Sequence, residues 1–336
     1  MLTLSSLRRA VAPRTQLITA SEIAALLGFS PWQTPLQVFR RKQGRDDKSS
    51  SVAMRAGNAS EGVLFAHYAK TYADGPAEQG LAYEDAPVQG PLEWMAASPD
   101  ALAHVYPYDG PIVVEFKTTG QSMDELPAHY RSQCDWLLAC IPVPAVELVA
   151  AVEMPDRLRA LLGSTDPHDV AKGQAAFAAM LDSGVIEVRR FMVERDDQRI
   201  AALVAQVEAW HDVHMVAGFP PDPRQGDAEH IAATFDPADN PEPHLDGLAP
   251  LVGAYKDAKA QLDDAEAKAS VAKAALLLGL EASGVEAAKT SAGSVSFKSQ
   301  AGRAGIDADM LRSQWPDIAA KVAKMGSPFR VLRVGK

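Results

Sequence analysis

Five polar side chains fall inside stretches that otherwise read as core-forming. Glu61 lies in a helical stretch and Asp100 follows Pro99 at the end of a short apolar run. Glu115 and Lys117 lie two residues apart in a strand that begins Ile112-Val113-Val114, and Gln133 lies on the next helical stretch. Alternation along a strand puts Glu115 and Lys117 on one face. Three converging carboxylates repel one another unless a cation lies among them. Hard oxygen donors of this kind suit Mg²⁺ or Mn²⁺ rather than zinc. Such an ion can bind a phosphate oxygen and acidify a bound water. A nearby ammonium can orient that water and stabilise charge growing on phosphorus. The chemistry this combination points to is phosphodiester hydrolysis. Singly, each residue has a plainer reading. Glu115 and Lys117 read as a surface ion pair on an edge strand, worth little in energy. Glu61 reads as a solvated helix residue and Asp100 as a turn residue. Only the combination carries weight.

The elements that must position these residues follow from local signals. Ser21 to Gly28 reads as a short helix with Ser21 as N-cap and Gly28 just past its end. Thr34-Pro35 starts a second helix that Gly44 stops. Residues 45–53 read as a polar loop. Gly57 to Tyr72 reads as a longer helix, with Val63, Leu64, Ala66, Tyr68 and Tyr72 as candidate buried positions. Strands are expected around 80–88, 92–97, 112–118, 145–153 and 185–193. Helices are expected over about 127–140 and 195–217, with an Ala-rich helical stretch near 171–182. Residues 223–246, rich in Pro, Asp and His, read as a linker. A long Ala/Leu/Lys/Glu helix follows over about 247–283, and then a strand, a helix and a strand ending in FRVLRV. The expected class is α/β (α+β), a central mixed sheet flanked by helices with a C-terminal helical extension.

The chain of 336 residues is long enough for one large domain or two smaller ones. No apolar run reaches the roughly 18 residues that span a bilayer, and the N-terminus lacks signal-peptide character. The expected location is the cytoplasm of a bacterial or phage-infected cell. Cys134 and Cys140 are the two cysteines, too few for a disulfide framework and without zinc spacing. They read as small core residues. An iron–sulfur cluster needs about four thiolates and is excluded within this chain. The net charge is −10, but residues 1–60 and 289–336 each carry nine Lys/Arg against three acids. Two basic ends around an acidic centre suit a polyanion that touches a metal site.

Asp100 followed by Glu115-Phe116-Lys117 is the pattern of the PD-(D/E)XK nucleases. The chain further resembles the lambda exonuclease family, and within it the YqaJ-type viral recombinases. The resemblance is carried by 14-RTQLITASE-22, 57-GNASEGVLFAHY-68, 97-ASPDALA-103, 113-VVEFKTT-119, 130-YRSQCDWLLA-139 and 193-VERDDQRIAAL-203. The segments 27-LGFSP-31 and Trp210 with 218-GFPP-221 extend it. It covers roughly residues 14–222. Ala101 stands where the family usually has glycine after the aspartate.

The resemblance implies a restriction-endonuclease-like core over 1–222. It implies metal bound by Asp100, Glu115, the Phe116 carbonyl and Glu61, with Lys117 positioning the attacking water and Gln133 beside the metal and scissile phosphate. It implies that Arg14, Ser21 and Ser98 hold the 5′-phosphate of a DNA end. The activity implied is Mg²⁺- or Mn²⁺-dependent 5′ to 3′ resection of linear duplex DNA for phage-type recombination. Duplex DNA ends, a single-strand annealing protein and a homotrimer are the implied partners, with no membrane. Trp32 reads as a core residue more readily than as one that stacks on a terminal base. Two other readings stay open: a restriction-like or repair endonuclease on the same core, and a non-catalytic DNA-binding or assembly module. No Walker-type phosphate loop is present, so ATP is not implied.

Overall fold

The computed structural model describes residues 2–45, 51–80, 86–234, 245–299 and 308–322. The chain divides into two compact units, Met1–Thr234 and Phe235–Lys336. In the first unit the elements in chain order begin with β1 (Ile18–Thr19), α1 (Ile23–Leu26), α2 (Pro35–Lys42) and α3 (Val52–Thr71). Five strands follow: β2 (Ala77–Gln79), β3 (Val88–Gln89), β4 (Met95–Ala97), β5 (Ala101–His104) and β6 (Pro111–Thr118). Next come α4 (Ala128–Cys140), β7 (Ala145–Ala151), α5 (Asp156–Leu162), α6 (Pro167–Asp182), β8 (Val188–Glu194), α7 (Asp197–Trp210) and α8 (Asp227–Ala233).

The main sheet runs β2-β5-β6-β7-β8. Its β6–β7 pair is parallel and the others are antiparallel. A smaller sheet, β1-β4-β3, pairs β1 with β4 in parallel. The parallel pair needs a crossover, and α4 supplies it. β6 and β7 are buried almost throughout, as strands covered on both faces must be. On one face Val113, Val146 and Leu148 pack with Cys134, Trp136 and Leu137 of α4 and with Leu203 and Val207 of α7. On the other, Ile112, Val114, Phe116 and Val149 pack with Leu64 and Tyr68 of α3 and with Phe177 of α6. This is the expected mixed α/β class. Both cysteines are buried on α4, as expected of core residues.

Several local expectations need correction. Asp100 stands at the entrance to β5, a strand missed in the sequence because Ala101–His104 is short and Ala-rich. The α3 helix starts five residues before Gly57, capped by Ser51, whose side chain accepts from the Met54 N–H. Its buried face is Ala56, Ser60, Leu64 and Tyr68, every fourth residue; Ala66 points to solvent. Residues 156–182 hold two helices, because Pro167 at the first turn and Asp166 as cap restart the chain after α5. The first part of the expected linker is folded. Arg224 donates to the Gly28 carbonyl at 2.7 Å, and Asp227 accepts from Thr34 Oγ1 at 2.5 Å. These bonds hold α8 against α2. Much of the strand expected at 80–88 and all of the terminal FRVLRV lie outside the described residues.

The second unit contains α9 (Ala249–Ala282), a hairpin of β9 (Ala287–Thr290) with β10 (Gly293–Ser296), and two short helices, α10 (Ala308–Gln314) and α11 (Pro316–Val322). The α9 helix is exposed along most of its length, with Leu280 as its buried residue.

Candidate active site

β6 carries the centre of the site. It lies between β5 and β7, and Glu115 on it is only 3% exposed. Lys117 Nζ donates to Glu115 Oε1 at 2.5 Å, and the Gln133 amide from α4 donates to the same oxygen. An edge-strand surface pair is therefore ruled out. Glu115 Oε2 is buried and has no hydrogen-bond partner. A buried carboxylate oxygen left this way is costly, and a cation is the partner that best offsets the cost.

The antiparallel register pairs Ala101 with Val114, so Asp100 falls opposite Glu115 one step further along. Asp100 Oδ2 accepts the Phe116 N–H at 2.7 Å. Burial pushes the Asp100 carboxyl well above the ordinary carboxylate range. The Glu115 charge adds to this, and Lys117 works against it. Glu61, midway along α3, is pushed up by burial and then by Glu115, again opposed by Lys117. Burial works against the charge of Lys117, but Glu115 and Asp100 outweigh it and hold its pKa above the ordinary value. Lys117 is thus an ammonium at neutral pH. It can donate hydrogen bonds and stabilise negative charge, but it is not a free base.

Three carboxylates therefore share one ammonium. Among the described residues no three His, Cys, Asp or Glu side chains are grouped closely enough to form a ready metal site. The convergence is electrostatic and stops short of a closed ligand cage. The donor chemistry nonetheless fits a hard divalent cation. The donors are all oxygens, one buried oxygen is unpartnered, and two nearby carboxyls are held up by burial and by the Glu115 charge.

Two of the residues expected at the DNA end, Ser21 and Ser98, follow the paired strands β1 and β4. β1 and β4 register Thr19 with Ala96, and Ser21 and Ser98 each follow by two residues. The two serines thus leave the strand pair at the same end, and Ser98 shares its turn with Asp100. Arg14 opens a 3₁₀ turn, Arg14–Gln16, just before β1.

Ser21 is exposed and is not a cap. Thr19 is the capping residue, and Glu22 accepts from its N–H at 3.0 Å and its hydroxyl at 3.1 Å. A 3₁₀ turn precedes the four-residue α1, so Ser21 does not stand at the start of an α-helix. The sequence reading missed Glu22, which is buried and ion-paired to Arg41 at 3.1 Å and Lys42 at 2.8 Å. Lys42 Nζ also donates to the carbonyls of Leu17 at 2.5 Å and Arg14 at 3.1 Å. One buried ion pair thus ties the turn of Ser21 to the turn of Arg14. The signal was the run Arg40-Arg41-Lys42 at the end of α2, but its partner lies across a chain reversal. Trp32 is also corrected. It is 65% exposed and so not a core residue.

Residues 11–142 match the family model of the YqaJ-like viral recombinase domain. The resemblance read in the motifs is borne out over that segment. The segment contains Arg14, Ser21, Glu61, Ser98, Asp100, Glu115, Lys117 and Gln133. No curated protein sequence matches the chain. Among solved structures, the alkaline exonuclease LHK-Exo from Laribacter hongkongensis is similar at 17% identity with a TM-score of 0.39. That match covers 61% of this chain and 90% of the other. The same protein in complex with dAMP gives a TM-score of 0.40 at the same identity and coverage. The structure of SSO0001 gives 0.35 at 13% identity, covering 67% of this chain and 88% of the other. The match to the YqaJ-like domain supports a nuclease of the lambda exonuclease type.

Proposed function

We propose that the protein is a metal-dependent exonuclease that hydrolyses phosphodiester bonds of linear duplex DNA from 5′-phosphorylated ends. The observation that carries the proposal is the buried Glu115, held on one oxygen by Lys117 and Gln133 and unpartnered on the other. It lies inside the segment that matches the YqaJ-like domain. Asp100, Glu115, the Phe116 carbonyl and Glu61 are the proposed ligands of Mg²⁺ or Mn²⁺. When bound, the ion polarises the phosphate and acidifies a water.

The chain's own residues do the rest. Gln133 fixes the rotamer of Glu115 through its hydrogen bond. Lys117 keeps its proton, orients the attacking water and stabilises charge on the phosphate oxygens. The Phe116 N–H pins Asp100 against β6. Arg14, Ser21 and Ser98 are proposed to hold the terminal phosphate, with Arg14 able to grip it through its fork of donors. The polarity proposed is 5′ to 3′, in phage-type recombination within the bacterial cytoplasm. The 3′ strand so exposed is a substrate for a single-strand annealing protein. A homotrimer is proposed as the working assembly.

One gel experiment tests this. Linear duplex labelled at its 3′ ends, with 5′-phosphate or 5′-hydroxyl, is incubated with Mg²⁺ or with EDTA, beside a closed circular duplex and the Lys117→Ala variant. The expected result is metal-dependent loss of linear duplex, faster with 5′-phosphate, absent in the variant and sparing the circle. Cutting of the circle would make the protein an endonuclease. DNA binding without digestion under any condition would make it a binding module.

A further inference from the structure

The loop between α1 and α2 presents Trp32 to solvent, 65% exposed. Large apolar rings on mobile loops are common and signify little, but this loop is pinned at both ends. Gly28 leaves α1 at φ +81°, a left-handed turn that favours glycine, and its carbonyl accepts from Arg224 at 2.7 Å. Ser30 Oγ accepts from the N–H groups of Trp32 at 3.2 Å and Gln33 at 3.3 Å. Thr34 closes the loop as cap of α2 and donates to Asp227. The backbone of Trp32 is therefore held while its indole stays in water.

The indole does not stand alone. Its ring meets His129 edge-on at 4.8 Å and Tyr130 at 5.9 Å between centroids. His129 and Tyr130 lie 4.2 Å apart, and the Tyr130 ring is 5.7 Å from Lys117 Nζ. His129 Nε2 is buried and has no hydrogen-bond partner. A row of rings thus runs outward from the ammonium of the candidate site and ends in an exposed indole. It also carries a polar ring atom in need of a partner.

The geometry points to a nucleobase-stacking subsite, with Trp32 as platform and His129 and Tyr130 as its backing. It takes the base of an unpaired nucleotide whose phosphate lies at Lys117. Every base has a π-face, so stacking accepts any sequence, as a resecting enzyme requires. A pre-held ring loses little freedom when the base arrives. The inference rests on the proposed DNA-end activity, yet its test reads binding and not hydrolysis.

The test is a double cycle between protein and DNA. Duplexes with a short unpaired 5′-phosphorylated end, carrying at the terminal position either a base or an abasic analogue, are titrated by fluorescence anisotropy. The full-length protein is used, in EDTA and again in Ca²⁺. Removing the base is expected to weaken wild-type binding about tenfold, within the range that base–aromatic stacking supplies. Trp32→Ala is expected to weaken binding to the same extent with the base present and to respond no further to its removal. Trp32→Phe is expected to restore most of the affinity. Thermal melting should show all variants folded, since the indole is mostly in water. Independent, additive losses would overturn the subsite, as would no loss in Trp32→Ala or no binding at all. If DNA is digested but the losses are additive, the subsite fails while the nuclease reading stands. If the coupling is found without digestion, the reverse holds.

Discussion

Two buried glutamates sit on adjacent strands of the main sheet and meet opposite fates. The parallel register sets Glu147 of β7 beside Val114 and Glu115 of β6 beside Leu148, so the two side chains face opposite sides. Glu147 is 2% exposed and Glu115 3%. Glu147 gives one oxygen to Arg190 at 2.7 Å and the other to the Tyr68 hydroxyl at 2.5 Å. Burial, and then that hydrogen bond, hold the Tyr68 hydroxyl protonated far above its ordinary pKa, so it remains a donor. Glu115 receives both of its donors on one oxygen and leaves the other bare. Residue type and burial are therefore the same, and only the distribution of partners separates a glutamate that ties the fold from one prepared for a ligand. A satisfied buried pair is roughly neutral for stability while intact. An unsatisfied one lowers stability until something binds.

The largest expected effect is on hydrolysis. Glu115→Gln or Lys117→Ala should lower the rate by at least about 10²–10³-fold, the range seen when one charge-stabilising group leaves an active site. Glu147→Gln should leave the rate per folded molecule within a few-fold of wild type. Single-turnover digestion of a 5′-phosphorylated duplex reads both, and equal losses in Glu147→Gln and Glu115→Gln would erase the distinction.

Stability should show the opposite ranking. Breaking the Glu147–Arg190 pair should cost about 3 kcal/mol, the low end for a buried pair. Arg190 keeps 33% of its side chain in solvent, which moderates the loss. Glu115→Gln should change metal-free stability by no more than about 1 kcal/mol. Lys117 still has Asp100 nearby, and one of three mutually repelling charges has gone. Urea unfolding in EDTA measures both values.

Cation binding sharpens the contrast further. Mg²⁺ or Mn²⁺ at about a hundred times its dissociation constant should stabilise wild type by about 2.7 kcal/mol. Glu147→Gln should gain as much, and Glu115→Gln and Asp100→Asn little. A melting temperature unmoved by either metal in wild type would remove the proposed metal site.

How far this contrast was legible in the sequence differs between the two residues. Glu115 announced itself because Lys117 stands two places away on the same strand and Asp100 lies in a Ser-Pro-Asp turn upstream. Spacing of two is a property of the strand itself. Glu147 did not, since its partners Tyr68 and Arg190 lie on α3 and β8, 79 and 43 positions away. The same holds for Glu22, whose pairing with Arg41 and Lys42 depends on the end of α2 returning to the turns that flank β1. The helix α2 and the end of α7 could be read from proline and glycine, and α4 from apolar residues at helical spacing. β5 could not, because four Ala-rich residues carry almost no strand signal and only pairing with β2 and β6 makes them one. Trp32 was misplaced for a related reason: an indole in an apolar neighbourhood reads as core, and only the pinned loop shows it turned outward.

The smallest effect is the pH dependence, and it carries a sign that separates the two kinds of carboxylate. Asp100 and Glu61 have folded pKa values raised by burial and by Glu115. Their contribution to metal-free stability is fully present below their unfolded values and is lost as pH rises through the raised folded ones. Glu22 runs the other way. Burial works against its charge, but Lys42 and Arg41 overcome it and lower the folded pKa. Its contribution is present above the unfolded value and is lost as pH falls through the folded one. In EDTA, then, wild type should lose stability relative to Asp100→Asn as pH rises from about 4 towards neutrality. Saturating Mg²⁺ should abolish that loss, because the ion supplies the positive charge the cluster lacks. A metal-free difference between wild type and Asp100→Asn that stays flat across this range would mean that the carboxylates are already balanced by the protein, with no electrostatic reason to recruit a cation.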